Sequence, residues 1–175
     1  MSQMRYLRKD LIRWKVLKPS DYFYIIFEEG LWATIFYRIA RFLFLVKIPV
    51  IRLVFRLVAF FLFKFSELFL GVAIRPGTDI GPGLYIGHTG VIRIHPNCRV
   101  GKNLSIGQLV TIGTKGLGDN GVPMIGDDVY IGSGAKVLGG IVIGNNVRIG
   151  ANAVVISDIP HNCTAVGVPA IIKRR

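Results

Sequence analysis

A chain of 175 residues, 51% of them apolar, is long enough for one domain with its own core and an appended segment. A formal net charge of +12 points to an anionic partner, whether nucleic acid, a membrane surface or an acidic substrate. The two cysteines, Cys98 and Cys163, lack CxxC spacing, which argues against a zinc site or a disulfide framework and fits a reducing compartment.

The early basic residues Arg5, Arg8, Lys9, Arg13, Lys15 and Lys18 are not followed by an apolar core and cleavage site, so no signal peptide is expected. Pro19-Ser20-Asp21 reads as a break followed by a helix N-cap, and Gly30 and Ile48-Pro49 punctuate the chain further. Helices are predicted near 4–17, 21–29, 31–46 and 50–69. The last two are strongly apolar, yet Arg38, Arg41, Lys47, Arg52, Arg56 and Lys64 interrupt them. The longest uncharged stretch in that run, Leu57 to Phe63, falls far short of the roughly 20 apolar residues of a spanning helix. Arg52 and Arg56 lie one turn apart beside a broad apolar face. Such helices either pack on one another and on partner subunits, with their arginines solvated, or lie in a membrane interface.

The grammar changes near Gly71, giving an α-helical, apolar and basic region over 1–70 and a repeat region over 71–175. In the second region isoleucine or valine opens a hexad at 74, 80 and 86, then at 94, 100, 106 and 112, then at 125, 131, 137, 143, 149 and 155. One inward aliphatic residue in every six fits a short strand and a turn, three of which make one coil of a parallel β-helix. Asparagine and glycine, as at Asn103 and Asn145-Asn146, suit corners that need positive φ. The fold class is therefore mainly β, a parallel β-helix of hexads preceded by helices. Two irregularities break the beat. Ile86 to Ile94 is eight residues, and Ile112 to Ile125 is thirteen, one beyond two hexads, with residues 114–123 expected to leave the prism as a loop.

These hexads resemble the left-handed β-helix acyltransferases. The phrases VTIG, IGSGAKVLGGIVIGNNVRIGANAVV and AVGVPA, with GLWATIFYRIARFLF before the coils, resemble the serine acetyltransferase branch from about residue 22 to 172. The resemblance implies acetyl transfer from acetyl-CoA to a hydroxyl, without a metal, in a homotrimer or dimer of trimers. It places His88 as catalytic base, which matches the need of a poorly nucleophilic alcohol for a proton acceptor titrating near neutrality. It also implies oxyanion donors, expected among backbone N–H groups at the corners. For the CoA moiety it implies Gly134, Ala135, Lys136, Gly150, Ala151, Pro169 and Ala170. Ile171 stands where the family has an arginine, and Lys173 is the expected replacement.

The chain also departs from that branch. Gly87 replaces the aspartate before the histidine, and His88-Thr89-Gly90 is a shortened phrase. Ala73-Ile74-Arg75-Pro76 stands in place of Asp-Ile-His-Pro, and Gly121-Val122-Pro123 in place of Arg-His-Pro. The aspartate and second histidine that would hold serine are missing, whereas shorter bacterial members that modify surface polysaccharides carry a Gly-His-x-Gly phrase. The expected acceptor is therefore a saccharide or glycan precursor in polysaccharide biosynthesis. Serine O-acetyl transfer and a catalytically silent membrane-associated scaffold are the alternatives. Acceptor contacts are expected from Arg75, Arg93, His95, Asp119 and Asn120. A terminal Lys173-Arg174-Arg175 differs from the isoleucine that docks family members on their partner synthase, so no such complex is expected. The charge is spread over both regions without a nucleic-acid motif, which argues against nucleic-acid binding. The expected location is cytoplasmic, peripheral on the inner face of the plasma membrane.

Overall fold

The computed structural model describes residues 2–18, 24–118 and 120–174. Each hexad opens with an aliphatic side chain that leaves water, and all thirteen of these positions from Ile74 to Val155 are buried. The fifth position of the hexad forms a second inward column that includes Leu84, Cys98, Leu104, Val129 and Val147. Two-residue spacing between the columns is the strand period, so the fifth residue of one hexad and the first of the next point into the prism while the residue between them points out.

The strands stack into three faces. The first face holds β1 (Val72–Ile74), β4 (Ile92–Ile94), β7 (Thr111–Gly113), β10 (Lys136–Leu138) and β13 (Val154–Val155). The second holds β2 (Asp79–Ile80), β5 (Arg99–Val100), β8 (Met124–Ile125) and β11 (Val142–Ile143). The third holds β3 (Tyr85–Ile86), β6 (Ser105–Ile106), β9 (Tyr130–Ile131), β12 (Arg148–Ile149), β14 (Cys163–Val166) and β15 (Ile171–Arg174). All pairings are parallel except β14 with β15. Inward residues sit directly over one another, as Ile74 over Ile94, Ile94 over Ile112 and Ile112 over Val137.

That last pairing locates the long interval. Ile112 lies on the first face and Ile125 on the second, over Val100. The interval is one edge of the prism with seven extra residues, not two hexads with one. The exposed residues Lys115 to Gly118 and Asn120 belong to this excursion.

The helices are α1 (Ser2–Leu17), α2 (Glu29–Phe44) and α3 (Pro49–Phe69). The helix expected over 21–29 is a single 3-10 turn, Tyr24–Phe27, running into α2; the expected cap at Ser20 and Asp21 lies outside the described residues. The structure also corrects the expectation that the α2 arginines are solvated, because Arg38 and Arg41 are 1% and 7% exposed. Arg38 donates to the Asp10 carboxylate at 2.7 Å and to the carbonyls of Ile80 and Gly81 at 2.7 and 2.6 Å. Arg41 donates to the carbonyls of Thr78, Gly77 and Pro76. Asp10 in turn accepts the N–H groups of Gly83 and Leu84 at 2.6 and 2.9 Å. The first coil has no coil beneath it, and its orphaned backbone groups are paired by these three side chains. Burial raises the Asp10 carboxyl from its ordinary value, while Arg38 and the two N–H donors pull against that shift.

Candidate active site

After β3, β6, β9 and β12 of the third face the chain turns a corner onto the first face, and after β14 the segment before β15 bonds to β13 of that face through the Ala170 N–H and the Val154 carbonyl. His88 lies on the first of these turns, between β3 and β4, and is exposed. Between its flanking ladder residues the turn is two residues longer than the next one, between β6 and β7; Gly90 and Val91 stand level with Gln108 and Leu109, so the extra residues are His88 and Thr89. Val91 has a φ of 40°, a strained value for a β-branched residue. The Leu109 N–H ties the turn to the coil above by donating to the Gly90 carbonyl at 2.8 Å.

Helix α2 braces this turn from outside. A Cβ on Gly30 would sit 2.0 Å from the Ile86 carbonyl oxygen, so only glycine lets the helix start lie against β3. The Thr89 hydroxyl donates to the Glu29 carboxylate. Read from sequence, Gly30 was only punctuation, and Glu29 and Thr89 gave no signal, since their contact joins residues 60 apart.

The residues expected to hold CoA occupy later turns of the same edge. Gly134, Ala135 and Lys136 follow β9, Gly150 and Ala151 follow β12, and Pro169 and Ala170 follow β14. With coils about 4.8 Å apart, they climb in steps above His88 over roughly 10–20 Å. Ala151 and Pro169 are exposed, and the Lys136 ammonium caps the edge by donating to the Leu109 carbonyl at 2.6 Å. Ala135 faces inward, fully buried, and fills the prism. Gly134, at φ 76°, turns its backbone where a Cβ would strike the Asn152 side chain. Lys173 is exposed on β15 opposite Thr164. The corner N–H groups of Gly87, Gly107, Gly132 and Gly134 are donated to neighbouring coils, so the expected oxyanion donors are not among them.

The expected acceptor residues group at a different place. Arg75 follows β1, His95 follows β4 and the excursion follows β7, all on the edge between the first and second faces, with Arg93 on the first face itself. Arg75, Arg93 and His95 line one cleft of about 890 Å³ between α3 and the prism; His88 is not in its lining. The Ala73 position lies in the same cleft, with Arg93 between it and Thr111. Asn120 is exposed on the excursion, Asp119 lies outside the described residues, and Val122 packs against the core. From α3 the cleft receives Arg56, Lys64 and Glu67, none of which was expected as a site residue. Glu67 accepts from Lys64 at 2.8 Å and lies 3.6 Å from Arg93, and the Lys64 bond is the main cause that lowers its pKa.

His161 is exposed, and its Nδ1 accepts the Asn145 N–H at 2.8 Å. Cys98 is a buried filler whose thiol is pushed up to about 11 by burial. Among the described residues no group of three or more His, Cys, Asp or Glu is placed to hold a metal ion. No described helix is long and apolar enough to cross a membrane.

Residues 123–157 match the model of the bacterial transferase hexapeptide family (six repeats). The serine acetyltransferase of Synechococcus elongatus is 41% identical over 147 residues, 83% of this chain and 57% of that protein. A crystal structure of Neisseria gonorrhoeae serine acetyltransferase in complex with serine superposes with a TM-score of 0.81 at 35% identity, covering 97% of this chain and 68% of that one. The chain belongs to the serine acetyltransferase family. Another family structure, a serine acetyltransferase in complex with CoA, superposes with a TM-score of 0.83 at 29% identity over 98% of this chain and 70% of that one. The family's architecture, helices followed by a β-helix, is the one found here. The chain spans between 51% and 57% of the length of the first curated relatives it matches.

Proposed function

We propose that this chain transfers acetyl from acetyl-CoA to a hydroxyl, with His88 as general base. The observation that carries this reading is the shared edge. An exposed histidine sits at the foot of a column of small residues with Lys136 beside it, a track for an extended thioester-bearing arm. His88 takes the hydroxyl proton as the oxygen attacks the thioester carbonyl, and returns it to the departing thiolate.

The relatives support L-serine as the acceptor, since they are serine acetyltransferases and one is solved with serine. This weighs toward serine over the saccharide expected from sequence. A saccharide remains as a second reading on one observation: Ala73 and Val122 stand where the resemblance places the aspartate and histidine that hold serine, and the cleft beside Ala73 is wide and cationic. Release of CoA thiol in the presence of L-serine, or of a saccharide acceptor, separates the two. Robust turnover with serine alone removes the saccharide reading.

Assembly as a trimer, or as a dimer of trimers, is part of the same proposal. It is supported by a groove of about 550 Å³ on the second face, rimmed by the exposed side chains of Met124 and Val142. Peripheral attachment to the inner face of a membrane is supported by the exposed Leu53, Val54, Leu57, Phe61 and Leu68 of α3 with Arg52 nearby. Recovery of the chain wholly in the soluble fraction at physiological salt would count against attachment.

A further inference from the structure

The cleft between α3 and the first face has two unlike walls. One is aromatic, made by Phe44, Phe60 and Phe63. The other is cationic, with Arg75 and Arg93 projecting from neighbouring coils and Arg56 and Lys64 from the helix. Glu67 is the single carboxylate among the lining residues, against four permanent cations. It is already engaged by Lys64, and Arg93 is only 3.6 Å away. Arg56 lies over the Phe44 ring at 5.3 Å and Lys64 over the Phe63 ring at 5.5 Å, so the charges are held at the rim of the apolar wall.

We propose that this cleft binds an amphiphilic phosphate, with the anionic head between Arg75 and Arg93 and an apolar chain along the aromatic wall. Strands β1 and β4 are paired, with Ala73 opposite Arg93 and Ile74 opposite Ile94, so Arg75 and Arg93 are diagonal neighbours whose backbones lie roughly 7–8 Å apart, within reach of two long side chains closing on one phosphate. Ala73 offers no carboxylate to compete for them. The volume of about 890 Å³ far exceeds that of a bare phosphate and matches a drug-sized ligand. A neutral apolar ligand would leave four cations facing it with Glu67 as the single carboxylate among the lining residues, and an inorganic anion would leave the rings wet. The inference goes beyond the acetyl-transfer reading and does not depend on whether the bound molecule is the acceptor.

Calorimetric titration of the full chain tests it, with short-chain phosphatidic acid as the amphiphilic phosphate and short-chain phosphatidylcholine and inorganic phosphate as controls. The phosphatidic acid is expected to bind on the order of tenfold or more tighter than either control. Arg75→Gln with Arg93→Gln abolishes that advantage; Phe60→Ser weakens the phosphatidic acid but leaves inorganic phosphate unchanged. All three positions are at the surface, and an unchanged circular dichroism spectrum checks that each variant folds. Equal affinity for phosphatidic acid and either control, or full affinity in the double glutamine variant, overturns the proposal. Sedimentation with vesicles containing phosphatidic acid identifies the source. Co-sedimentation of wild type but not the double variant supports a bilayer lipid, and binding of the monomeric lipid alone supports a soluble amphiphile. His88→Ala should bind as wild type does, so a failure of binding and a failure of acetyl transfer are read separately.

Discussion

At the scale of single residues, His88 combines exposure with a fixed place. Its neighbour Thr89 is tied to Glu29, and the Gly90 carbonyl is tied to Leu109, so the turn is held on two sides while the imidazole stays open to a substrate. Glu29→Ala should loosen the turn without removing the base, lowering kcat by less than His88→Ala does and sparing the melting temperature. Steady-state kinetics beside a thermal melt check this. Val91 stores strain at the same turn, and Val91→Gly should raise stability by about 1 kcal/mol, measured by chemical denaturation. Cys98 is the opposite case, a thiol held protonated by burial, with a pKa of about 11. It should resist alkylation at neutral pH in the folded protein and react once the protein is unfolded.

At the scale of elements, α1 and α2 act as the lid on the open end of the prism. Arg38 and Asp10 are both fully buried as side chains, and each also pairs with backbone of the first coil. Removing one partner leaves a buried charge, so Arg38→Ala or Asp10→Ala should cost about 3–5 kcal/mol in denaturant unfolding. Arg56→Ala, at the surface of α3, should change stability little. This lid was not legible in the sequence. The arginines of α2 sit at helical spacing on an apolar helix, a pattern shared by solvated and membrane-facing residues. What decides between these is, for Arg38, a carboxylate on another helix 28 residues away and carbonyls more than 40 residues downstream, and for Arg41, carbonyls 35 to 37 residues downstream. The inward ladder was legible because its six-residue beat is a local property of the chain. The beat is silent over the thirteen-residue interval from Ile112 to Ile125, which spans a single corner.

At the scale of the whole molecule, one column of aliphatic side chains runs through every coil, and what lies on each edge follows from where the turns fall. Ile131 is fully buried between Ile106 and Ile149, so Ile131→Ala should destabilise by about 2–5 kcal/mol and be felt along the stack rather than locally. Site legibility followed the same division. His88 and the small residues above it were legible as candidates because they sit in recognisable phrases of the sequence. The cationic cleft was only half found, because Arg56, Lys64 and Glu67 come from a helix whose docking no repeat predicts. The proposed division between a catalytic edge and a binding cleft turns on one group, His88. The most direct measurement is therefore the rate of CoA thiol release with L-serine, and with a saccharide acceptor in parallel, for wild type and His88→Ala. The expected result is acceptor-dependent release that falls on the order of 10²- to 10⁴-fold in the variant, with the KM for acetyl-CoA unchanged. Release at the wild-type rate by His88→Ala would contradict the assignment of His88 as the base.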